Sequence, residues 1–145
     1  MIVVNRNMVC FYFLGLLNNF GYKVIMATAK DLMKEKAPTS VVLMFNIIPG
    51  FLITLAFPMF QHKCKTKILI IFTSILFALA YGLCGLSFIA IGIGLIGVAS
   101  ISIGYGLGES TILSYLSKFD DKCLTAFTIG TGLSGLLASF IYLIL

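Results

Sequence analysis

Charged residues are scarce in this sequence. Only 10% of its 145 residues are charged, whereas 60% are hydrophobic, and the mean hydropathy is +1.11. A soluble domain of this size has too little interior to bury so much apolar surface. The composition therefore excludes a soluble globular domain and indicates that the protein is embedded in lipid.

Histidine and metal-type cysteine patterns are nearly absent as well. The single histidine, His62, lies in a basic loop, and the paired carboxylates Asp120 and Asp121 lie in a turn that we expect to face water. The four cysteines show neither C-x-x-C nor metal-ligand spacing, which favours free thiols. They are Cys10, Cys64, Cys84 and Cys123. Because no nucleophile–base pair or metal cluster is visible, we expect no enzyme activity, no metal and no cofactor.

Basic residues give a formal net charge of +5, but they do not form the stripe or patch that binds nucleic acid. They lie in short gaps between apolar runs, as signals of membrane topology do. Two of the gaps adjoin Cys64 and Cys123, where palmitoylation is an alternative to a free thiol. We therefore expect the lipid bilayer and small solutes or protons as partners, and no nucleic acid.

The stretch Gly130–Gly135, GTGLSG, matches the G-x-G-x-x-G fingerprint of dinucleotide-binding loops. That fingerprint also requires an acidic residue about 20 positions further on. In the printed sequence no charged residue follows Lys122. The run from Cys123 to Leu145 is instead long enough to cross a bilayer as a helix, which takes about 20 residues. We therefore expect these glycines to serve helix packing, where small residues allow close approach.

Long uncharged runs predict an all-α membrane protein. One of them, Ile68–Gly108, would be about 60 Å long as a single helix, twice the hydrocarbon core of roughly 30 Å. It must therefore fold back, and the glycines around Tyr81–Ser87 suggest the turn. The sequence thus predicts one bundle over residues 1–145 with five membrane-spanning helices. Their predicted bounds are 8–29, 39–60, 67–86, 88–116 and 124–145.

Lysine and arginine in the short loops predict the orientation, because cytoplasmic loops are richer in them. One side carries Arg6, Lys63, Lys65, Lys67, Lys118 and Lys122, and the other carries Lys30, Lys34 and Lys36. The N-terminus is therefore expected in the cytoplasm and the C-terminus across the membrane. A cleaved signal peptide ending near Ala27–Ala29 is the alternative for the first helix. It is disfavoured because Lys23 and two asparagines interrupt the apolar stretch.

Two ionisable residues are predicted at bilayer depth, Lys23 in the first helix and Glu109 in the fourth. Such residues usually mark a pathway or a partner, because each costs about 2.5–3.5 kcal/mol to insert. Lys23 belongs to a polar stripe that spans an arc of about 140° and should face the bundle interior. The stripe consists of Gly15, Asn18, Asn19, Tyr22, Lys23 and Met26.

Glu109 is the stronger candidate for a substrate or proton pathway, because a carboxyl group withdrawn from water can bind and release a proton. Its alternative is a structural glutamate that hydrogen-bonds to the first helix. Lys23 also has an alternative, since a lysine can extend its amine to the membrane surface. A direct Lys23–Glu109 ion pair is disfavoured, because the two residues differ in depth by roughly 12 Å.

Small residues at four-residue spacing predict close helix contacts. Ser100, Gly104 and Gly108 repeat in this way on the fourth helix, and Gly132 and Gly135 belong to similar patterns on the fifth. In the second helix, Pro49-Gly50 predicts a kink that frees a carbonyl for polar contacts. Asn46 beside it is a further pathway candidate. Like Asn18 and Asn19, it has the alternative of joining helices without any role in transport.

Four sequence blocks together resemble the battenin family. They are FYFLGLLNNFGYKVIMATAKDL (Phe11–Leu32), NIIPGFLITLAFP (Asn46–Pro58), GYGLGESTILSYLSKF (Gly104–Phe119) and GTGLSGLLASFIYL (Gly130–Leu143). The double-asparagine helix and the G-L-G-E block are the most specific of them. The blocks occur in the family's order and cover nearly the whole chain. Battenins are proteins of lysosomal and vacuolar membranes.

The resemblance implies a major-facilitator-like fold and a role in vacuolar pH homeostasis and in transport of small solutes such as basic amino acids. Family members are much longer and have two helical bundles, which implies that a second bundle or another copy completes this one. Relatives can carry an acidic residue at Asn46 and a lysine at Thr54, and usually an apolar residue at Lys23. The alternative, from another class, is a membrane scaffold or trafficking protein that transports nothing.

Overall fold

A computed structural model describes residues 6–32, 38–87 and 89–144, and in the first helix its side chains as far as Ile25. These residues form five α-helices and no strand. The helices are α1 (Arg6–Leu32), α2 (Thr39–Gln61), α3 (Thr66–Gly85), α4 (Ile91–Leu116) and α5 (Asp121–Ile144). All five are long and apolar enough to cross a membrane. The prediction of an all-α protein with five membrane-spanning helices is therefore confirmed.

The ends of the helices follow local signals. Pro38 precedes α2, and its carbonyl accepts hydrogen bonds from the amides of Val41 and Val42. Helix α3 ends at Gly85, one residue before its predicted end, and α4 begins at Ile91, three residues after its predicted beginning. The predicted loop around Lys34 lies outside the described residues.

Helix α4 is the centre of the bundle. Half of its span (50%) is buried, against 22% for α2, α3 and α5. It contributes to each of the three buried apolar clusters, through Ile101, Leu107 and Ile112. Helices α2 and α3 pack against α4, whereas α5 packs mainly against α1. A residue on α4 therefore has the best chance of being shielded from lipid.

One of these clusters joins the beginning of α1 to the beginning of α5. It contains Phe11, Leu116, Cys123 and Phe127, with Met8 packed against it. At the opposite end of the bundle lies a cluster that includes Ile25 of α1 and Val42 of α2. Helices α1 and α5 therefore run parallel and begin at the same end of the bundle.

The outer surface is apolar. Met59 is 80% exposed and Leu136 is 70% exposed, and many other large hydrophobic side chains are exposed around them. Soluble monomers rarely expose apolar patches of this extent. The surface agrees with the composition in indicating lipid as the solvent.

Candidate functional site

The polar stripe of α1 lies inside the bundle, where it meets α4 and α5. Asn18 and Asn19 are buried, and Tyr22 and Lys23 are half-buried. Gly15 is buried, and a Cβ there would collide with the Phe127 carbonyl of α5. The side chain of Met26 lies outside the described residues. The stripe thus places four polar side chains where α1 faces its neighbours.

Thr131 of α5 binds two residues of the stripe. The Lys23 amine donates to the Thr131 carbonyl at 2.6 Å, and the Asn19 amide donates to the Thr131 hydroxyl at 3.2 Å. A Cβ at Gly135 would lie 3.4 Å from the Lys23 Nζ, so the absence of a side chain there makes room for the amine. Lys23 is therefore bound to α5 through the Thr131 carbonyl. Thr131 was not a predicted site residue, because its motif suggested only packing.

Glu109 is half-buried on the central helix α4. The Tyr105 side chain, one helical turn earlier, interacts with the Glu109 carboxylate, and Glu109 acts electrostatically on Tyr22 and Lys23. Tyr105 also stacks on Tyr22, with ring centroids 4.3 Å apart and an angle of 16° between the planes. The arrangement brings one carboxylate, one ammonium group and two phenols to a single interface inside the bundle.

Lys23 and Glu109 share this interface without a direct pair. Among the described residues, the hydrogen-bond partner of the Lys23 amine is Thr131 and not Glu109. The direct pair that the sequence disfavoured is therefore not seen among these residues, although Glu109 acts electrostatically on Lys23. Each charge therefore has its own polar neighbour, and the two interact only through space.

The glycines divide into those that contact a neighbouring helix and those that do not. A Cβ at Gly104 would meet Phe77 of α3 at 3.3 Å, and a Cβ at Gly108 would collide with the Asn18 side chain. A Cβ at Gly132, in contrast, would meet no atom of the described residues within 4 Å. The predicted packing role of Gly132 is therefore wrong within this bundle. The close approach occurs at Gly130, which faces the Tyr12 carbonyl, and Gly132 lies about 200° further round the helix.

The Ser102 hydroxyl of α4 forms hydrogen bonds with the backbone of α2 where the sequence predicts a kink. The Ser102 hydroxyl donates to the Asn46 carbonyl and accepts from the Gly50 amide at 2.9 Å. Those two backbone groups are four residues apart and would otherwise bond to each other. Pro49 has already removed one helical hydrogen bond at this point, and an inserted side chain is a known cause of bending. Ser102 therefore bonds to the backbone of α2 beside Pro49-Gly50, within a helix that continues from Thr39 to Gln61.

Four buried polar atoms have no hydrogen-bond partner among the described residues. They are Asn18 Nδ2, Asn19 Oδ1, Asn46 Oδ1 and Thr73 Oγ1. Asn18 and Thr73 approach each other over Gly108, since both would contact a Cβ placed there. Buried polar groups are normally paired, so unpaired ones often indicate a role beyond packing. Thr73 is a residue that sequence analysis missed, because a single threonine in an apolar run carries no signal.

The chain matches the model of a known protein family. The family model described as "CLN3 protein" matches residues 9–145, which is almost the entire chain. The chain belongs to the CLN3 family.

Several curated relatives of this CLN3-family chain carry the names BTN1 or battenin. "Protein BTN1" of Kluyveromyces lactis is 37% identical over 139 residues, covering 93% of this chain and 34% of the relative. "Protein BTN1" of Yarrowia lipolytica is 35% identical, and "Battenin" of Dictyostelium discoideum is 27% identical, each aligned over 34% of its own length. The chain therefore spans about a third of the length of these relatives. No solved structure matches it.

The cysteines of this CLN3-family chain differ in accessibility. Cys10 and Cys64 are exposed, whereas Cys84 and Cys123 are buried. Palmitoylation next to a membrane end is thus sterically open at Cys64 and closed at Cys123. Within residues 6–32, 38–87 and 89–144, no three His, Cys, Asp or Glu side chains are grouped in a way that could hold a metal ion.

Proposed function

We propose that this chain forms one helical bundle of a vacuolar or lysosomal membrane transporter, in which Glu109 lies on the path of a proton or a small solute. The observation that supports the proposal is the position of Glu109 on the central helix α4, where it acts electrostatically on Tyr22 and Lys23 of the polar stripe of α1. A carboxylate inside a membrane bundle is expensive and is usually retained for function. Membership of the CLN3 family supports the vacuolar or lysosomal membrane as the location.

Each polar residue of the interface has a distinct task in this proposal. Glu109 binds and releases the proton, and the adjacent Tyr105 orients its carboxylate. The stacked Tyr22 holds α1 against α4, while Lys23 anchors α1 to α5. The unpaired polar atoms of Asn18 and Asn46 offer hydrogen bonds to a solute. Residues on three helices thus act at one interface, so a shift of α1 would change the surroundings of Glu109.

The solute and the complete architecture follow from the resemblance to battenins. Small solutes such as basic amino acids are the proposed substrates, and control of vacuolar pH is the proposed physiological effect. A major-facilitator-like arrangement requires a second bundle or another copy facing this one. Movement of the two bundles against each other would then expose the site to each side of the membrane in turn. No chemical step is proposed, since transport needs none.

The orientation is a separate part of the proposal. The loop that carries His62 and Cys64 is expected in the cytosol, because the basic residues are concentrated on that side. Cys64 is exposed and Cys123 is buried, so Cys64 is the suitable residue for labelling. In sealed vacuoles, a membrane-impermeant maleimide should modify Cys64 from the cytosolic side. The matched control is Cys64→Ser, in which exposed Cys10 is the remaining accessible thiol. Modification of Cys64 only after the lumen is opened would reverse the topology.

The role of Glu109 is tested with Glu109→Gln, which keeps the size and the hydrogen bonding of the side chain but removes its titration. Cells that lack their own family member would express this bundle joined to the remaining part of a relative. We expect the parent to restore vacuolar pH and basic amino-acid content and the glutamine variant to fail at both, at equal protein level. The control is Ser110→Ala, which alters the next, likewise half-buried residue of α4 without touching a titrating group. Equal rescue by Glu109→Gln would make Glu109 structural.

The alternative function is a membrane scaffold or trafficking protein without transport. One observation favours it, namely that Asn19 and Lys23 are occupied by hydrogen bonds to Thr131 and therefore act as links between helices. The rescue experiment separates the two functions. A scaffold requires the folded bundle but not a titrating group, so Glu109→Gln would then rescue fully while a packing variant such as Gly130→Leu would not.

A further inference from the structure

A groove separates the first turns of α1 from the first turns of α5, at the end of the bundle where both helices begin. Its cavity volume is ≈ 560 Å³. It is lined by Met8, Val9, Tyr12, Phe13, Lys122, Thr125, Ala126 and Ile129. Val9, Phe13 and Ile129 are exposed, so the groove opens sideways on the surface of the bundle. None of its residues belongs to the polar interface around Glu109.

The groove carries its only charge at one end. Lys122 is the second residue of α5 and is exposed, whereas every other lining residue is uncharged. Along α5 the groove extends from Lys122 to Ile129, which is about 10 Å in a helix. Asp121 precedes Lys122 but does not line the groove. The groove therefore has an apolar length directed into the membrane and one cation at the mouth.

We propose that this groove binds an anionic phospholipid of the surrounding membrane. The acyl chain lies along Phe13 and Ile129, and the phosphate accepts a hydrogen bond from the Lys122 amine. Charge complementarity supports this occupant, because a basic residue at the membrane boundary attracts anionic headgroups. Apolar walls that open toward lipid favour an acyl chain, which needs no hydrogen-bond partners. The proposal does not depend on transport and holds for a scaffold protein too.

The charge is tested with Lys122→Gln and the matched control Lys118→Gln. Both lysines are exposed and lie on either side of the same turn, but only Lys122 lines the groove. Lipid binding to the purified chain would be titrated by native mass spectrometry, with phosphatidylserine and phosphatidylcholine of identical acyl chains. We expect the parent and Lys118→Gln to prefer phosphatidylserine, and Lys122→Gln to lose about fivefold of that preference, as one lysine near a membrane surface contributes. Equal preference in both variants would overturn the proposal.

The groove itself is tested with Thr125→Phe and the matched control Thr128→Phe. Both threonines are exposed on α5 and donate to the carbonyl four residues earlier, but only Thr125 lines the groove. We expect Thr125→Phe to weaken binding of both lipids severalfold and Thr128→Phe to leave it unchanged. Unchanged binding in Thr125→Phe would place the lipid elsewhere and overturn the proposal. A parent that binds no lipid, because another helix or a second copy fills the groove, would overturn it as well.

Discussion

The contacts of α4 with α1 and with α2 are built from different kinds of residue. Toward α1 the contact is made through side chains, since Tyr105 stacks on Tyr22, Glu109 acts electrostatically on Tyr22, and the Asn18 side chain lies against Gly108. Toward α2 it is made by small residues, since Gly106 lies against Gly50 and Ser102 reaches into the backbone of α2. Helices held apart by side chains can change their contacts by rotamer changes, whereas helices in backbone contact cannot. The first interface therefore suits a site that must rearrange, and the second suits a fixed contact.

The largest effect on stability is expected from alanine substitutions at the glycines of α4, because these glycines differ in the space that they leave for a side chain. At Gly106 a Cβ would lie 2.8 Å from the Gly50 carbonyl oxygen, which is a backbone atom. It would lie equally close to one side-chain atom of Ile53 and one of Thr54. At Gly108 it would collide with the end of the Asn18 side chain, which can turn away. We expect Gly106→Ala to lower the free energy of unfolding by about 1–3 kcal/mol and Gly108→Ala by less. Steric trapping or thermal unfolding in lipid nanodiscs measures this.

Gly132→Ala is the control for both glycine variants. Because no atom lies within 4 Å of its Cβ position, we expect the substitution to be neutral or to stabilise by up to about 1 kcal/mol through helix propensity. If Gly108→Ala proves as damaging as Gly106→Ala, the α1 interface is as rigid as the α2 interface, and the comparison between them fails.

Lys23 tests whether the polar interface is maintained for stability. Lys23→Met removes a hydrogen bond worth about 0.6–1.7 kcal/mol, but it also removes an insertion cost of about 2.5–3.5 kcal/mol. The net expectation is a gain of about 1–3 kcal/mol in stability, measured as above, with Lys67→Met at the exposed beginning of α3 as the control. A loss of stability in Lys23→Met would show that its bond to Thr131 holds the bundle together.

Ser102 is expected to give the smallest of these effects. In Ser102→Ala the Asn46 carbonyl and the Gly50 amide can bond directly to each other, so the cost should stay near 1 kcal/mol, within the usual range of about 0.6–1.7 kcal/mol. Ser100→Ala is the control, because the Ser100 hydroxyl bonds to the Ile96 carbonyl within its own helix. Hydrogen exchange at Gly50 reports the local change. Exchange at Gly50 that is identical in both variants would show that Ser102 does not affect the α2 backbone there.

Helix number and helix ends were predictable because each depends on a local property. A run without charge must span the hydrocarbon core, so its length sets the number of crossings. Pro49 removes one helical hydrogen bond wherever its helix packs, so the sequence also indicated where the α2 backbone can accept a polar contact; the kink itself stays a prediction, since α2 is continuous over Thr39–Gln61. The inward orientation of Asn18, Asn19 and Glu109 was also predictable, since lipid offers polar groups no partner.

The hydrogen-bond and packing partners of these residues were not predictable, because the sequence of one helix does not determine which other helices it packs against. Gly130 and Gly132 lie in the same short stretch of small residues, yet Gly130 faces α1 and Gly132 does not. Thr131 and Ser102 are ordinary in sequence and became important only through the residues that they meet. The groove with Lys122 at its mouth likewise exists only because α1 and α5 lie side by side.

The sequence by itself determined that the chain is membrane-embedded, that it crosses five times and which residues are too polar to face lipid. These properties follow from the free energy of transfer between water and hydrocarbon, which acts on each segment separately. The tertiary structure alone decided that α4 is central, that Lys23 binds Thr131 while Glu109 meets Tyr105, and that Ser102 bonds to the backbone of α2. Those choices depend on close packing and hydrogen bonds between helices, and such contacts arise only when several segments are together.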